Sequence, residues 1–102
     1  MKIRNGFVSN SSSSSFIIDK RYLFHWQAEA LIDYYDVAAR FAEEFPAIAR
    51  GLNLYHVDNY WGVHDDGEGK IRGRTSMDNF SMYNFMKLIG VNPDRDVDWE
   101  DY

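Results

Sequence analysis

Between Tyr22 and Glu44, apolar residues return in alternating steps of four and three: Phe24, Ala28, Leu31, Tyr35, Ala38, Ala42 and Phe45. That spacing predicts one α-helix over 22–44 with a single apolar stripe. Glu29, Asp33, Asp36, Arg40 and Glu43 fall on its other side, as a solvated face would. Asp19 is the expected N-cap, and Pro46 stops the run or restarts a short turn ending at Gly51.

From Leu54 to Val63 the period changes to two. Tyr55, Val57, Trp61 and Val63 fall on one side, with His56, Asp58 and Tyr60 on the other. His64, Asp65, Asp66, Gly67, Glu68 and Gly69 supply turn residues, and alternation resumes from Lys70 to Thr75. Residues 54–75 therefore read as a β-hairpin. A second helix over 81–90 has clear end signals. Ser81 can cap it, Phe80 and Phe85 are placed as a hydrophobic staple, Gly90 and Pro93 close it, and Met82, Phe85, Met86 and Ile89 form its inner face.

The first nineteen residues read as two short apolar pieces, Ile3 with Phe7 and Val8, then Phe16 to Ile18, separated by a serine-rich loop over 9–15. Serine competes for its own backbone, which disfavours a regular helix there, and the β-branched pair Ile17 and Ile18 favours a strand. The expected fold is α+β. A small antiparallel sheet, made of the N-terminal strands and hairpin 54–75, packs on a long helix (22–44) and a shorter one (81–90). Residues 1–91 are expected to form the single domain, with 92–102 as an acidic tail.

Composition narrows the picture. A length of 102 residues suits one core, and 17% aromatic content offers enough bulk to stabilise it. The chain has no cysteine, which removes disulfides and thiolate chemistry and suits a reducing compartment, with the cytoplasm as default. No apolar run approaches the length of a membrane helix, and the serine tract stands where a signal peptide needs its apolar stretch. Net charge is −5, and the stretch after Asn92 concentrates it: Asp94, Asp96, Asp98, Glu100 and Asp101 face only Arg95. The body is nearly neutral, so general attraction to nucleic acid is not expected.

Candidate chemistry is sparse. The serines lack a glycine elbow and a neighbouring base, which argues against a nucleophile. His25, His56 and His64 with Asp58, Asp65, Asp66 and Glu68 match no defined metal spacing, and no cofactor is implied. The same acids as a general acid and base carry a weak signal. Lys70, Arg72 and Arg74 share a strand face with Tyr60 across the hairpin, an arrangement that can hold phosphates beside a stacked base. The competing reading, a solvated face paired with nearby acids, is preferred. In the tail, Asp94, Asp96, Asp98, Trp99, Glu100, Asp101 and Tyr102 combine charge for steering with rings for anchoring, which suits a partner with a basic surface. A solvated tail with Trp99 folded back on the body weighs equally.

The string Arg4-Asn5-Gly6-Phe7-Val8-Ser9-Asn10, followed by Ser11 to Ser15 and Phe16, resembles an opening segment of small uncharacterised accessory proteins of tailed bacteriophages and of some bacteria. Thr75 to Met82, running into Phe85 and Ile89 to Val91, is similar to a segment of such proteins. The resemblance implies a phage origin and no catalytic residue. With the acidic tail it sets three expectations: a non-catalytic protein that binds and modulates a host macromolecule, a host protein with a basic surface as partner, and host cytoplasm as the location. Nucleic acid is the less favoured partner, a membrane is not expected, and a homo-oligomer is left open.

Overall fold

The computed structural model describes residues 14–52, 54, 61–75 and 80–101. Four strands and four α-helices build a two-layer α+β fold: β1 (Ser14–Asp19), α1 (His25–Ile32), α2 (Tyr34–Glu44), α3 (Pro46–Leu52), β2 (Gly62–Asp65), β3 (Lys70–Thr75), α4 (Met82–Leu88) and β4 (Val97–Asp101). The sheet order is β2-β3-β1-β4, every neighbouring pair antiparallel. β1 is thus central although it comes first in the chain. The hairpin's paired strands are Gly62–Asp65 and Lys70–Thr75, and residues 55–60 of the expected hairpin lie outside the described residues.

Alternation decides which side of each strand is buried. Ser14, Phe16 and Ile18 of β1, Ile71, Gly73 and Thr75 of β3, and Val97 and Trp99 of β4 all turn to the helical layer. They join Leu31, Tyr34, Ala38, Met82, Phe85 and Met86 in one core. Phe16 lies at its aromatic centre, 5.5 Å from the Trp61 ring and 5.7 Å from the Trp99 ring. Ser14 and Ser15 belong to β1, so the serine-rich loop expected over 9–15 must end sooner. The rest of that segment lies outside the described residues.

The helix expected over 22–44 is two helices. Asp19, the N-cap expected for that helix, instead caps a 3-10 turn over Lys20 to Tyr22, its carboxylate accepting from the Arg21 N–H at 3.0 Å, and α1 has Phe24 at its N-cap. α1 starts only at His25, and Asp33, with ψ of 33°, separates it from α2. The buried stripe is also turned. Gln27, Ala30, Leu31, Tyr34 and Ala38 face the core, whereas Phe24 and Phe45, expected inside, are 72% and 59% exposed. Gln27 explains the shift. Its side chain accepts from the Phe24 N–H at 2.8 Å and donates to the Ile89 carbonyl at 2.9 Å, so a buried polar residue with both ends satisfied fixes α1 against the end of α4. Leu31 remains at the centre, fully buried. Leu31→Ala is expected to cost about 2–5 kcal/mol in urea unfolding, and a loss below about 0.5 kcal/mol would remove it from the core.

α4 ends as its sequence indicates. Ser81 Oγ accepts from the Asn84 N–H at 3.3 Å, and the Phe80 and Phe85 rings lie 5.9 Å apart as a staple. At the other end the Val91 N–H donates to Met86 O at 2.8 Å and the Gly90 N–H to Lys87 O at 3.2 Å, a Schellman closure that needs the positive φ of Gly90, 87°.

Candidate interaction surface

Among the described residues the helices cover one side of the sheet, while on the other Gly62, His64, Arg72, Arg74, Asp98 and Glu100 are exposed. The strand registers set three rows of side chains across it. Gly62, Arg74, Ser15 and Glu100 form one row; His64, Arg72, Ile17 and Asp98 form the next; Lys70 and Asp19 begin the third. In the first two rows charge is sorted by strand: cations on β3, Ser15 and Ile17 on β1, carboxylates on β4. Ser15, beside Arg74, lines a groove of about 360 Å³ together with Ile17, His64, Arg72, Gly73 and Glu100.

The structure places Lys70, Arg72 and Arg74 together on one face, as expected. It also shows what two of them already hold. Arg72 Nε donates to Asp66 Oδ2 at 2.9 Å, and Lys70 Nζ lies 3.7 Å from Asp19 Oδ2. Arg74 has no ion pair among the described residues, and Tyr60 lies outside them. Asp66 is tied most tightly. The Arg72 guanidinium, then the N–H groups of Glu68 and Lys70, hold its carboxyl at about 2, below the ordinary aspartate value. Asp65 is lowered too, first by the Lys20 ammonium at 2.7 Å and then by the Gly67 N–H. These acids thus fold the turn and pair with cations, while His25 pairs with Glu29 at 3.1 Å on α1. Among the described residues no three His, Asp or Glu side chains gather as a metal site.

Surface ion pairs contribute little to folding. Replacing Lys70, Arg72 and Arg74 together by Ala is expected to leave the urea midpoint nearly unchanged. A cooperative loss of structure in that variant would make these side chains part of the framework instead.

The segment read as an acidic tail from residue 92 is no tail. Val97–Asp101 is β4, an edge strand paired with β1 through Phe16↔Trp99 and Ile18↔Val97. Trp99, expected to be a partner anchor, is a core ring: it is buried, its Nε1–H donates to Pro93 O at 2.9 Å, and the Tyr83 ring lies 6.3 Å away. Alternating polarity is the reason. Val97 and Trp99 sit on the inward phase, so Asp98 and Glu100 take the outward one. Before the strand, Asp94 accepts from the Tyr83 hydroxyl at 2.9 Å, an interaction that raises the Tyr83 pKa, and Asp96 is paired with Arg95 at 2.9 Å. The Asp101 backbone lies in register with Ser14, and Tyr102 lies outside the described residues.

The sequence reading missed a second exposed feature. Tyr22 (52% exposed), Phe24 and Trp26 (55%) are all exposed within five residues, just before and at the start of α1. Phe24 had been assigned to the stripe, and the one available signal was Leu23, whose inward phase puts its two neighbours outward.

Fold and surface together define, among the described residues, a small two-layer α+β fold with one exposed sheet face and an edge strand carrying Asp98 and Glu100 outward. Comparison with known proteins finds no matching family model, curated protein or solved structure. Among the described residues, no helix is long and apolar enough to cross a membrane.

Proposed function

We propose that this chain is a small phage accessory protein that binds and modulates a host macromolecule without catalysis, acting in the host cytoplasm on a protein with a basic surface. The observation that supports this most is β4. A strand anchored by Val97 and Trp99 holds Asp98 and Glu100 outward at a sheet edge, just after the Arg95–Asp96 pair, so this negative charge is preorganised. Charge fixed in this way steers approach without the ordering cost that a flexible tail carries. A nucleic-acid-binding enzyme offers the complementary surface.

The test is kinetic. Chain captured from infected-host lysate yields the partner, and association is then followed against salt for the intact protein and for a variant with Asp94, Asp96, Asp98, Glu100 and Asp101 changed to their amides. Association of the variant is expected to slow and lose its salt dependence, with dissociation less affected. Equal rates for the two proteins would rule the acidic edge out as the docking surface.

A second reading rests on Arg74, which borders the open groove without an ion pair among the described residues, and takes nucleic acid or a nucleotide on Lys70, Arg72 and Arg74. The pairing of Lys70 and Arg72 with Asp19 and Asp66 weighs against it. Salt-sensitive oligonucleotide binding that is lost in the triple Ala variant would establish it.

A further inference from the structure

Three exposed aromatic rings within five residues are uncommon on a soluble domain, because each leaves a large apolar area in water. The backbone around Tyr22, Phe24 and Trp26 accounts for their display. Leu23 is extended, with φ −123° and ψ 140°, and Phe24 is extended at −72° and 158°. Leu23 packs on the core, so the neighbouring Tyr22 and Phe24 are turned outward. Gln27 then fixes the segment through its bonds to Phe24 and Ile89. The rings are displayed by a braced segment, which lowers the ordering cost of using them in a contact.

Their surroundings set the sign of the partner. Lys20 is paired with Asp65 at 2.7 Å, and Arg21 lies 3.4 Å from Asp19 and 5.6 Å from the Tyr22 ring centre, so the cations here are already matched. On the other side the register of Ile18 with Val97 brings the end of β1, from which Lys20 to Tyr22 leave the sheet, beside the start of β4, where Arg95 is matched by Asp96 and the outward Asp98 follows. We infer that the Tyr22, Phe24 and Trp26 knuckle is the apolar anchor of the docking surface, seating in an apolar pocket ringed by Lys or Arg on a partner protein while the adjoining acidic edge meets the ring. This rests on the basic-partner reading above, and it gives the knuckle the role that buried Trp99 cannot fill. Nucleic acid and anionic lipid are disfavoured by the same carboxylates. So is a second copy, because a symmetric contact through the knuckle would bring two acidic edges together.

The intact protein provides its own reporter. Trp61 and Trp99 are buried, so acrylamide quenching of tryptophan emission reads chiefly Trp26. The probe is a synthetic amphipathic helix with leucine on one face and lysine on the other. Its control has serine in place of leucine. Phe24→Ser removes a ring while supplying a better residue at the helix N-cap, so folding is expected to survive. Asp98→Asn with Glu100→Gln tests the charge separately.

The leucine–lysine helix is expected to protect Trp26 from quenching, the serine control much less so. Phe24→Ser is expected to weaken binding about tenfold, and the amide pair to flatten its salt dependence. If Phe24→Ser binds as well as the parent while the amide pair loses salt dependence, the knuckle proposal is overturned and the acidic-edge reading stands. If neither variant alters binding, or the probe gives no protection, both fail. Stronger protection of Trp26 by an oligonucleotide or by anionic vesicles, or its burial in a concentration-dependent dimer, overturns the choice of partner.

Discussion

Replacing Gly73 by Ala is expected to destabilise the protein by about 3 kcal/mol or more, the cost of forcing atoms into a filled core. Gly73 lies opposite Phe16 in the β1 and β3 register, and the Phe16 ring crosses the space where a side chain would stand. A Cβ built there falls 2.8 Å from Phe16 Cδ2 and nearer still to Cε2 and Cζ. The ring cannot easily move away, because Trp61 and Trp99 pack around it and it is 1% exposed. The requirement at Gly73 is therefore for volume. A double-mutant cycle checks this: Gly73→Ala combined with Phe16→Leu is expected to cost clearly less than the sum of the two single changes. Simple additivity would mean that the two sites do not compete for that space.

Trp99→Ala is expected to cost about 3–5 kcal/mol in urea unfolding, the range for deleting a large buried ring. The indole bridges three elements. It packs on Phe16 of β1 and against Tyr83 of α4 and bonds to Pro93 before β4, so its loss opens a cavity and leaves the Pro93 carbonyl without that donor. The same variant tests the role given to Trp99 by the sequence. A side chain used only for anchoring a partner would change binding while leaving stability close to that of the parent.

What the sequence made legible was local. α4 was readable almost to its ends because Ser81, the Phe80 and Phe85 staple and Gly90 each act within a turn or two of chain. The turn between β2 and β3 was readable for the same reason, since Asp65 and Asp66 bond to N–H groups within four residues. The phase of α1 was not. Apolar residues occur on both sides of residues 22–35, and the inward side is chosen partly by Gln27, a polar residue that no hydrophobic pattern counts. The choice depends on a carbonyl 62 positions further on.

β4 shows another reason for a miss. Val97 and Trp99 alternate with carboxylates, a strand pattern in itself, but the charge density suggested solvent on both sides. Only pairing with β1, about eighty positions earlier, buries one side and gives the strand its two faces. The basic face of β3 was found in place because it needed only period-two alternation. The carboxylates of β4 on the same face were not, because β4 joins the sheet only through its non-local pairing with β1.

The account depends most on residues 97–101 being a fixed strand, since both the core role of Trp99 and the preorganised charge of Asp98 and Glu100 follow from it. Amide hydrogen exchange on the full chain, read residue by residue by NMR, measures this directly. The account predicts that the β4 amides bonded to β1 exchange nearly as slowly as those of β1 itself, while outward-facing amides of this edge strand exchange fast. Uniform exchange across 97–101 at the rate of an unstructured peptide, with β1 still protected, would contradict it.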